Sequence, residues 1–167
     1  MTSKLKTDIL ETVSGSGTIA LTNQLSGMTS ASVPSGSVLQ VVSVHDTTSV
    51  TGAGVTITSA GVTITPSSAT SKIFISFSIA METLGSTADR GIHTRIYRGG
   101  TEIMYQPYQM YASSDASQRI GKQTYTMLDS PNTASAITYT FTGYATSGNA
   151  RFNQYGSSTL TLMEIKG

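Results

Sequence analysis

The feature of this sequence that most constrains its fold is a two-residue alternation over residues 72–82. Apolar side chains occupy every second position, and mostly small residues lie between them. Since successive side chains of a β-strand point to opposite faces, this segment is predicted to be a strand with one fully apolar face. The apolar positions are Ile73, Ile75, Phe77, Ile79 and Met81, and the pattern recurs at Ile137, Tyr139 and Phe141 between threonines.

Further segments have a strand-like composition, and no convincing period of 3.6 residues occurs after the first dozen positions. Gly99 and Gly100 separate two of these segments, and a glycine pair between apolar runs indicates a two-residue hairpin turn. Short strands divided by frequent turn signals are typical of an antiparallel sandwich or barrel. The chain is therefore predicted to be all-β, with further strands at 38–44, 93–98, 101–105, 123–128 and 158–166.

A seven-residue repeat covers residues 54–60 and continues at 61–66. Two copies are too few for a solenoid, which needs about three repeats to bury its own core. We therefore predict a pair of short strands around residues 59–61.

The composition excludes several classes of function. Ten Lys and Arg residues against nine Asp and Glu leave a formal charge of +1. Electrostatic binding of nucleic acid is therefore not expected, because the chain has no surplus of cations to neutralise phosphates. The sequence contains no run of about 18 apolar residues that could span a membrane, and residues 1–6 do not resemble a secretory signal. The 25 serines and 27 threonines indicate a weakly charged, hydroxyl-rich surface, and the absence of cysteine excludes disulfides.

The sequence contains no motif for catalysis. His45 precedes Asp46, but no Gly-x-Ser-x-Gly nucleophile motif accompanies this pair, and His93 stands alone. Two histidines without cysteines form a zinc site only if carboxylates complete it, and no Asp-x-Asp-x-Asp calcium loop occurs. We therefore expect no enzymatic activity, no cofactor and no metal. A sugar-degrading enzyme remains an alternative with no motif behind it.

The chain is predicted to divide into an N-terminal arm, residues 1–36, and a β-sandwich body, residues 37–167. The arm is rich in Gly, Ser and Thr, and its scattered apolar side chains have no packed domain to join. We therefore expect the arm to dock on a neighbouring copy or a larger assembly. The expected anchor residues are Leu5, Ile9, Leu10, Val13, Ile19, Leu21 and Leu25.

Several segments resemble a family of small structural proteins and fibre tips of tailed bacteriophages, especially phages of marine bacteria and cyanobacteria. The front segments are SKLKTD at 3–8, GSGTI at 15–19 and NQLSG at 23–27, and PSGSVLQVV at 34–42 resembles the start of the family's body. The remaining similarity lies in TPSSATSKI at 65–73 and TLTLMEI at 159–165. These segments are spread over the length of the chain and together contain 41 of its 167 residues.

The resemblance implies a jelly-roll-like β-sandwich that assembles as a homotrimer in the virion, on the capsid exterior or on the tail. The implied partners are other copies of the chain and a major capsid or tail protein. Because the chain has no coiled-coil heptads and no collagen-like glycine period that could form a fibre shaft, a capsid decoration or knob is slightly favoured over a fibre tip.

The last strand is apolar on both faces, with Leu160 and Leu162 on one and Met163 and Ile165 on the other. Such a strand is either central in a sheet or covered by a partner, and Val41 lies in a similar segment. These five residues are candidates for a subunit interface, and an ordinary central strand is the alternative.

Residues 97–111 are rich in tyrosine and methionine, which are enriched in interface cores. Tyr105, Tyr108 and Tyr111 are therefore candidates for contact with a host receptor or a virion partner. Packing of Tyr97 and Tyr105 into the core, with Pro107 ending the strand, is the alternative. The second hypothesis for the function is a tail-fibre tip or adhesin that recognises glycans on the host surface through these three tyrosines.

Overall fold

The computed structural model describes residues 33–56, 61–84, 90–112 and 118–167, with the backbone alone for 54–56 and 90. All regular elements within these ranges are β-strands, so the all-β prediction is confirmed. The strands are β1 (Val38–Asp46), β2 (Val50–Gly52), β3 (Gly54–Thr56), β4 (Val62–Ile64), β5 (Lys72–Leu84), β6 (Arg90–Arg98), β7 (Thr101–Ala112), β8 (Arg119–Asp129), β9 (Ile137–Ala145), β10 (Asn149–Phe152) and β11 (Ser158–Ile165).

The described strands form two antiparallel sheets that pack as a sandwich, as predicted. The first sheet has the order β1-β11-β5-β10-β2, and β8 pairs with the free side of β5. The second sheet has the order β3-β9-β6-β7, with β4 also paired to β9. Strand β5 is the centre of the first sheet, because it pairs with β8 on one side and with β11 and β10 on the other.

The alternation in the sequence sets which face of each central strand lines the core. All five apolar side chains of β5 that alternate are at most 2 % exposed, and Tyr139 and Phe141 of β9 are equally buried. Each fully buried side chain of this size contributes about 1.5–3 kcal/mol of burial free energy. The hydrophobic pattern is therefore sufficient to fix which faces of the two sheets meet.

The glycine-pair hairpin is confirmed, with Gly99 and Gly100 at φ values of 53° and 91° between β6 and β7. Strand β7 does not end at Pro107 but continues to Ala112. Proline is tolerated there because no other described strand pairs with the outer side of β7, and because Pro107 lies in the irregular part of the pairing with β6, where it has no ladder partner.

The seven-residue repeat corresponds to two short strands, β3 and β4. They do not pair with each other. Both pair antiparallel with β9, β3 near Gly143 and β4 near Thr138, so they follow one another along the same neighbour. Gly61, between the two strands, has a φ of 63° and lies against β9, where a Cβ atom would come within 2.8 Å of two threonine methyl groups.

A buried carboxylate joins three of the segments that carry the phage resemblance. Glu164 of β11 is 1 % exposed. Its Oε1 accepts hydrogen bonds from the Ser67 N–H, the Ser67 hydroxyl and the Ser71 hydroxyl, each at 2.7 Å. Its Oε2 accepts one from Gln40 Nε2 at 2.6 Å. Burial by itself would raise the pKa of Glu164, but the hydrogen bonds from Ser67, Ser71 and Gln40 outweigh burial and lower it.

A second buried acid lies in the same cross-strand row. Asp129 of β8 pairs with Ile73 of β5, which pairs in turn with Glu164. Asp129 accepts a hydrogen bond from the Tyr139 hydroxyl at 2.6 Å and forms an ion pair with Arg98 at 2.8 Å. Both partners belong to the second sheet, so this row connects the two sheets at one end of the sandwich.

Candidate functional site

The structure places the three predicted contact tyrosines on the outer face of the second sheet. Tyr105, Tyr108 and Tyr111 are 41 %, 58 % and 46 % exposed, so the alternative that Tyr105 faces the core is wrong. The sequence did not predict their neighbours, which are His93, Arg95 and Tyr144. The name tyrosine cluster is used below for these six residues.

An irregularity in β7 sets the position of Tyr108. The pairing of β6 with β7 shifts between Ile92 and Thr94, so that several β7 residues lie opposite His93. Tyr108 has a φ of 50°, a left-handed conformation that is uncommon for a bulky residue. Its ring lies over Gly91, where a Cβ atom would approach a ring carbon to 2.7 Å. Strain of this kind persists where the surroundings impose it, and it concentrates at functional sites.

His93 lies beneath the aromatic rings of the cluster and is 6 % exposed. Its ring centroid is 4.7 Å from that of Tyr108 and 5.0 Å from that of Tyr144. Burial, and to a smaller degree the nearby Arg95 charge, lower its pKa, so the ring is neutral near pH 7. The Tyr105 hydroxyl hydrogen-bonds to Nδ1, while the buried Nε2 has no hydrogen-bond partner in the described part of the chain.

Arg95 holds the other side of the tyrosine cluster together. Its guanidinium carbon lies 5.0 Å from the ring centroid of Tyr105 and 4.8 Å from that of Tyr144, distances typical of cation–π contacts. It donates hydrogen bonds to the hydroxyls of Tyr97 and Tyr144 and pairs with Glu102 at 3.1 Å. These hydrogen bonds raise the pKa of Arg95, which therefore remains a cation.

The rings of Tyr108 and Tyr111 pack edge to face, with their centroids 5.5 Å apart. The two side chains line an open depression of about 320 Å³ on the surface of the tyrosine cluster. Exposed rings held in place by packing offer large contact area at low entropic cost. The arrangement is suited to contact with a partner or a sugar ring.

The predicted interface residues lie on two different faces of the first sheet. Leu160 and Leu162 are 1 % and 0 % exposed and belong to the core of the sandwich. Their burial therefore requires no second copy. Met163, Ile165 and Val41 lie on the opposite, outward face, where Val41 is 54 % exposed.

Four apolar side chains line up across this outward face. Val41 pairs with Met163, Met163 with Phe74, and Phe74 with Leu128, so that one row crosses β1, β11, β5 and β8. Leu128 is 52 % exposed at the far end. This set is called the apolar row below.

Seven hydroxyl side chains and one histidine occupy the next two rows of the same face. The first consists of Ser43, Thr161, Ser76 and Thr126, and the second of His45, Thr159, Ser78 and Thr124. Some of these side chains hydrogen-bond to each other, as Ser43 does to Thr161 at 2.9 Å. The outward face therefore changes within one row from apolar to hydroxyl-rich.

The remaining candidates for chemistry do not form a site. His45 lies next to Thr159 on the outward face, whereas the Asp46 carboxylate accepts a hydrogen bond from the Thr48 N–H, so the two do not form an orienting pair. The described residues contain no group of three or more potential metal ligands and no helix able to cross a membrane. The predicted anchor residues of the arm lie outside the described residues.

No family model and no curated protein matches the sequence. Among solved structures, the chain is similar to a VP2 subviral particle of infectious bursal disease virus, with 14% identity over 77% of this chain and 33% of that one and a TM-score of 0.38. T=1 particles derived from the same virus give 12% identity, 90% and 41% coverage and a TM-score of 0.39. Dimeric latent PorU from Porphyromonas gingivalis gives 11% identity, 79% and 11% coverage and a TM-score of 0.31.

The chain thus spans less than half the length of each of these three proteins. At this level of similarity the matches carry no conclusion about function or assembly.

Proposed function

We propose that this chain is a non-enzymatic structural protein of a bacteriophage virion, a homotrimeric β-knob attached through its N-terminal arm to the capsid surface. The sequence resemblance supplies the class of protein. The structural observation that supports it is the apolar row, because an exposed apolar stripe on an otherwise hydroxyl-rich sheet is typical of an interaction surface.

The occupant that we propose for the apolar row is another copy of this chain. Val41 and Met163 lie in two of the segments that resemble the phage family. Both side chains point away from the core, so core packing does not account for their apolar character. Copies related by a threefold axis would cover three such rows in one assembly.

Trimerisation explains how a weakly charged arm can hold a knob on a particle. Three arms on one trimer raise the effective concentration at the second and third docking sites, so weak individual contacts suffice. The body carries few charges and many hydroxyls, which keep its surface hydrated without strong electrostatic attraction.

The interface is tested by light scattering coupled to size exclusion. The wild-type chain is expected to be a trimer, and Leu128→Lys is expected to shift it towards monomer. Thr124→Lys is the matched control, because Thr124 lies on the same strand and face but in a hydroxyl row. A monomeric wild type, or equal effects of the two substitutions, would contradict the interface.

The anchoring role is tested by deleting residues 1–30. The truncated body is expected to remain a folded trimer and to be lost from purified particles. Normal incorporation of the truncated chain would refute anchoring by the arm. Quantitative gel analysis of particles separates a capsid decoration, present in dozens of copies, from a fibre tip, present in a few.

The tyrosine cluster supports a second candidate function, the recognition of glycans on the host surface by a tail-fibre tip or adhesin. Tyr108 is the most exposed member of the cluster and is held in an uncommon backbone conformation. Aromatic rings stack on the apolar faces of sugars, and the neighbouring hydroxyls and Arg95 offer hydrogen bonds.

A glycan array probed with wild type, Tyr108→Ala and the distant Thr124→Ala tests this function. Binding that is lost only in Tyr108→Ala supports it. An array with no bound glycan at all, or binding that is unchanged in Tyr108→Ala, counts against it.

A further inference from the structure

A recess on the outer face of the first sheet has a buried carboxylate at its base. Glu82 of β5 is 1 % exposed, and neither of its oxygens has a hydrogen-bond partner among the described residues. Arg151 Nε lies 3.3 Å from Oε2, close enough for an ion pair but not aligned as a hydrogen bond. A buried carboxylate without hydrogen-bond donors is unusual, because burial without compensation costs free energy.

The recess has a volume of about 200 Å³ and lies between strands β5, β8 and β10. Its walls carry Lys122, Arg151 and Gln154, which supply hydrogen-bond donors, and its rim carries Ile120 and Tyr155, which are 56 % and 61 % exposed. The volume is below the about 300–1,000 Å³ of sites for drug-sized ligands. The recess is therefore suited to a small polar ring with one apolar face.

One wall of the recess is held in place by the chain itself. The connection from β10 to β11 folds over Ala80, so closely that a Cβ atom on Gly156 would come within 2.9 Å of the Ala80 Cβ atom. The Asn153 N–H donates to the Ala80 carbonyl at 3.1 Å, and the buried Asn153 side chain bonds to Thr48 and Ser158. The wall is therefore formed before any ligand binds.

The charges select the kind of ligand. Lys122 and Arg151 already outweigh the single negative charge of Glu82, so a further cation is disfavoured. Glu82 accepts hydrogen bonds only, whereas the side chains of Lys122 and Arg151 donate only. A ligand that both donates and accepts hydrogen bonds can satisfy the acceptor Glu82 and the donors Lys122 and Arg151 at the same time. A pair of vicinal hydroxyl groups has this property, because each hydroxyl both donates and accepts.

We propose that this recess binds one neutral saccharide unit, with Glu82 accepting hydrogen bonds from its hydroxyls and Arg151 turning from the carboxylate towards the ligand. The site lies eight residues along β5 from Phe74, about 26 Å from the apolar row at the usual rise per residue. It is distinct from the tyrosine cluster, which lies on the other sheet, and it does not depend on the proposed function.

The test is a titration of the full chain with methyl α-glycosides of glucose, mannose, galactose and N-acetylglucosamine, followed by amide and Arg Nε resonances. At least one glycoside is expected to shift Gly121, Gly156 and the Arg151 Nε–H saturably, with a dissociation constant on the order of 1 mM. Glu82→Gln is expected to weaken binding about tenfold or more.

Two further variants keep the test decisive. Lys122→Gln changes an exposed side chain and is expected to weaken binding without affecting the fold. Asp46→Asn removes a carboxylate outside the recess and is expected to bind as wild type does. The proposal is overturned if no glycoside causes saturable shifts, if Glu82→Gln binds normally, or if methylammonium produces the shifts and the glycosides do not. Shifts confined to Tyr108 and Tyr111 would also overturn it.

Discussion

Replacing Glu164 by glutamine is the sharpest test of how the sandwich is closed at one end. In the wild-type chain, Gln40 Nε2 donates to Glu164 Oε2 at 2.6 Å. In the variant, the amide oxygen of glutamine can still accept the three hydrogen bonds from Ser67 and Ser71, but its amide nitrogen takes the place of Oε2 and faces the Gln40 nitrogen, so that two donors meet. Gln40 cannot turn its amide over without loss, because the same nitrogen donates to the Thr65 carbonyl at 2.6 Å.

The expected loss is that of one hydrogen bond to a charged acceptor together with a donor left without an acceptor. The first amounts to about 1.5–3 kcal/mol and the second to about 1–3 kcal/mol, and the two overlap, so Glu164→Gln should lower the free energy of unfolding by about 3 kcal/mol. Since domains of this kind are stable by about 5–15 kcal/mol, the loss is large enough to measure by urea denaturation.

The loss should also depend on pH. The pKa of Glu164 is lowered in the folded chain from its ordinary value of 4.5, so the unfolded chain binds the proton more readily. The stabilisation by the carboxylate is therefore fully present above about pH 4.5 and is lost as the pH falls through the lower folded pKa. Wild type and Glu164→Gln should converge in stability below that range.

Glu102→Gln is the matched control, because it makes the same chemical change at a side chain that is 39 % exposed and forms a surface ion pair. Its cost should be below about 1 kcal/mol. A Glu164→Gln variant within about 0.5 kcal/mol of wild type at pH 7, or a difference that does not shrink in acid, would refute the role assigned to this network.

Three further substitutions test the packing, each measured by chemical denaturation. Tyr139→Phe removes the buried donor to Asp129 and should cost about 1–3 kcal/mol; an unchanged midpoint would mean that this hydrogen bond adds nothing. Ile75→Ala should cost about 2–5 kcal/mol, because the side chain is fully buried, and more than Leu128→Ala on the outward face. Gly61→Ala should cost more than about 1 kcal/mol, since it combines a φ of 63° with the contact against β9, and an alanine tolerated there would contradict the close approach of Gly61 to β9.

The fold was largely predictable because its signals are local. The alternation around Ile75 specifies a strand and its buried face, and Gly99 with Gly100 specifies a turn, whatever the rest of the chain does. Most of the predicted strands are longer in the structure, because pairing partners extend a strand beyond its apolar stretch, whereas β11 ends at Ile165, one residue before its predicted end. Strand β7 is the clearest case, since its edge position allows it to continue through Pro107.

The candidate site was predictable only in part. The enrichment in tyrosine predicted Tyr108 as a contact residue. Its packing over His93, however, depends on a register shift between β6 and β7, and nothing in the local sequence indicates that shift. Glu82 ends the alternating segment and offers no motif of its own. Its neighbour Arg151 is 69 positions away along the chain and is brought to it by strand pairing alone.

The irregular edge strand β7 affects how copies of the chain behave when many of them lie close together. Strand β7 presents its outer side without a strand neighbour in the described part of the chain, but Pro107 and the irregular pairing at Tyr108 break its run of backbone donors and acceptors near the middle. A foreign strand could align with only a short stretch of it, which discourages fibrillar growth from this side. Many copies could therefore stand close together at high local concentration and still remain separate particles.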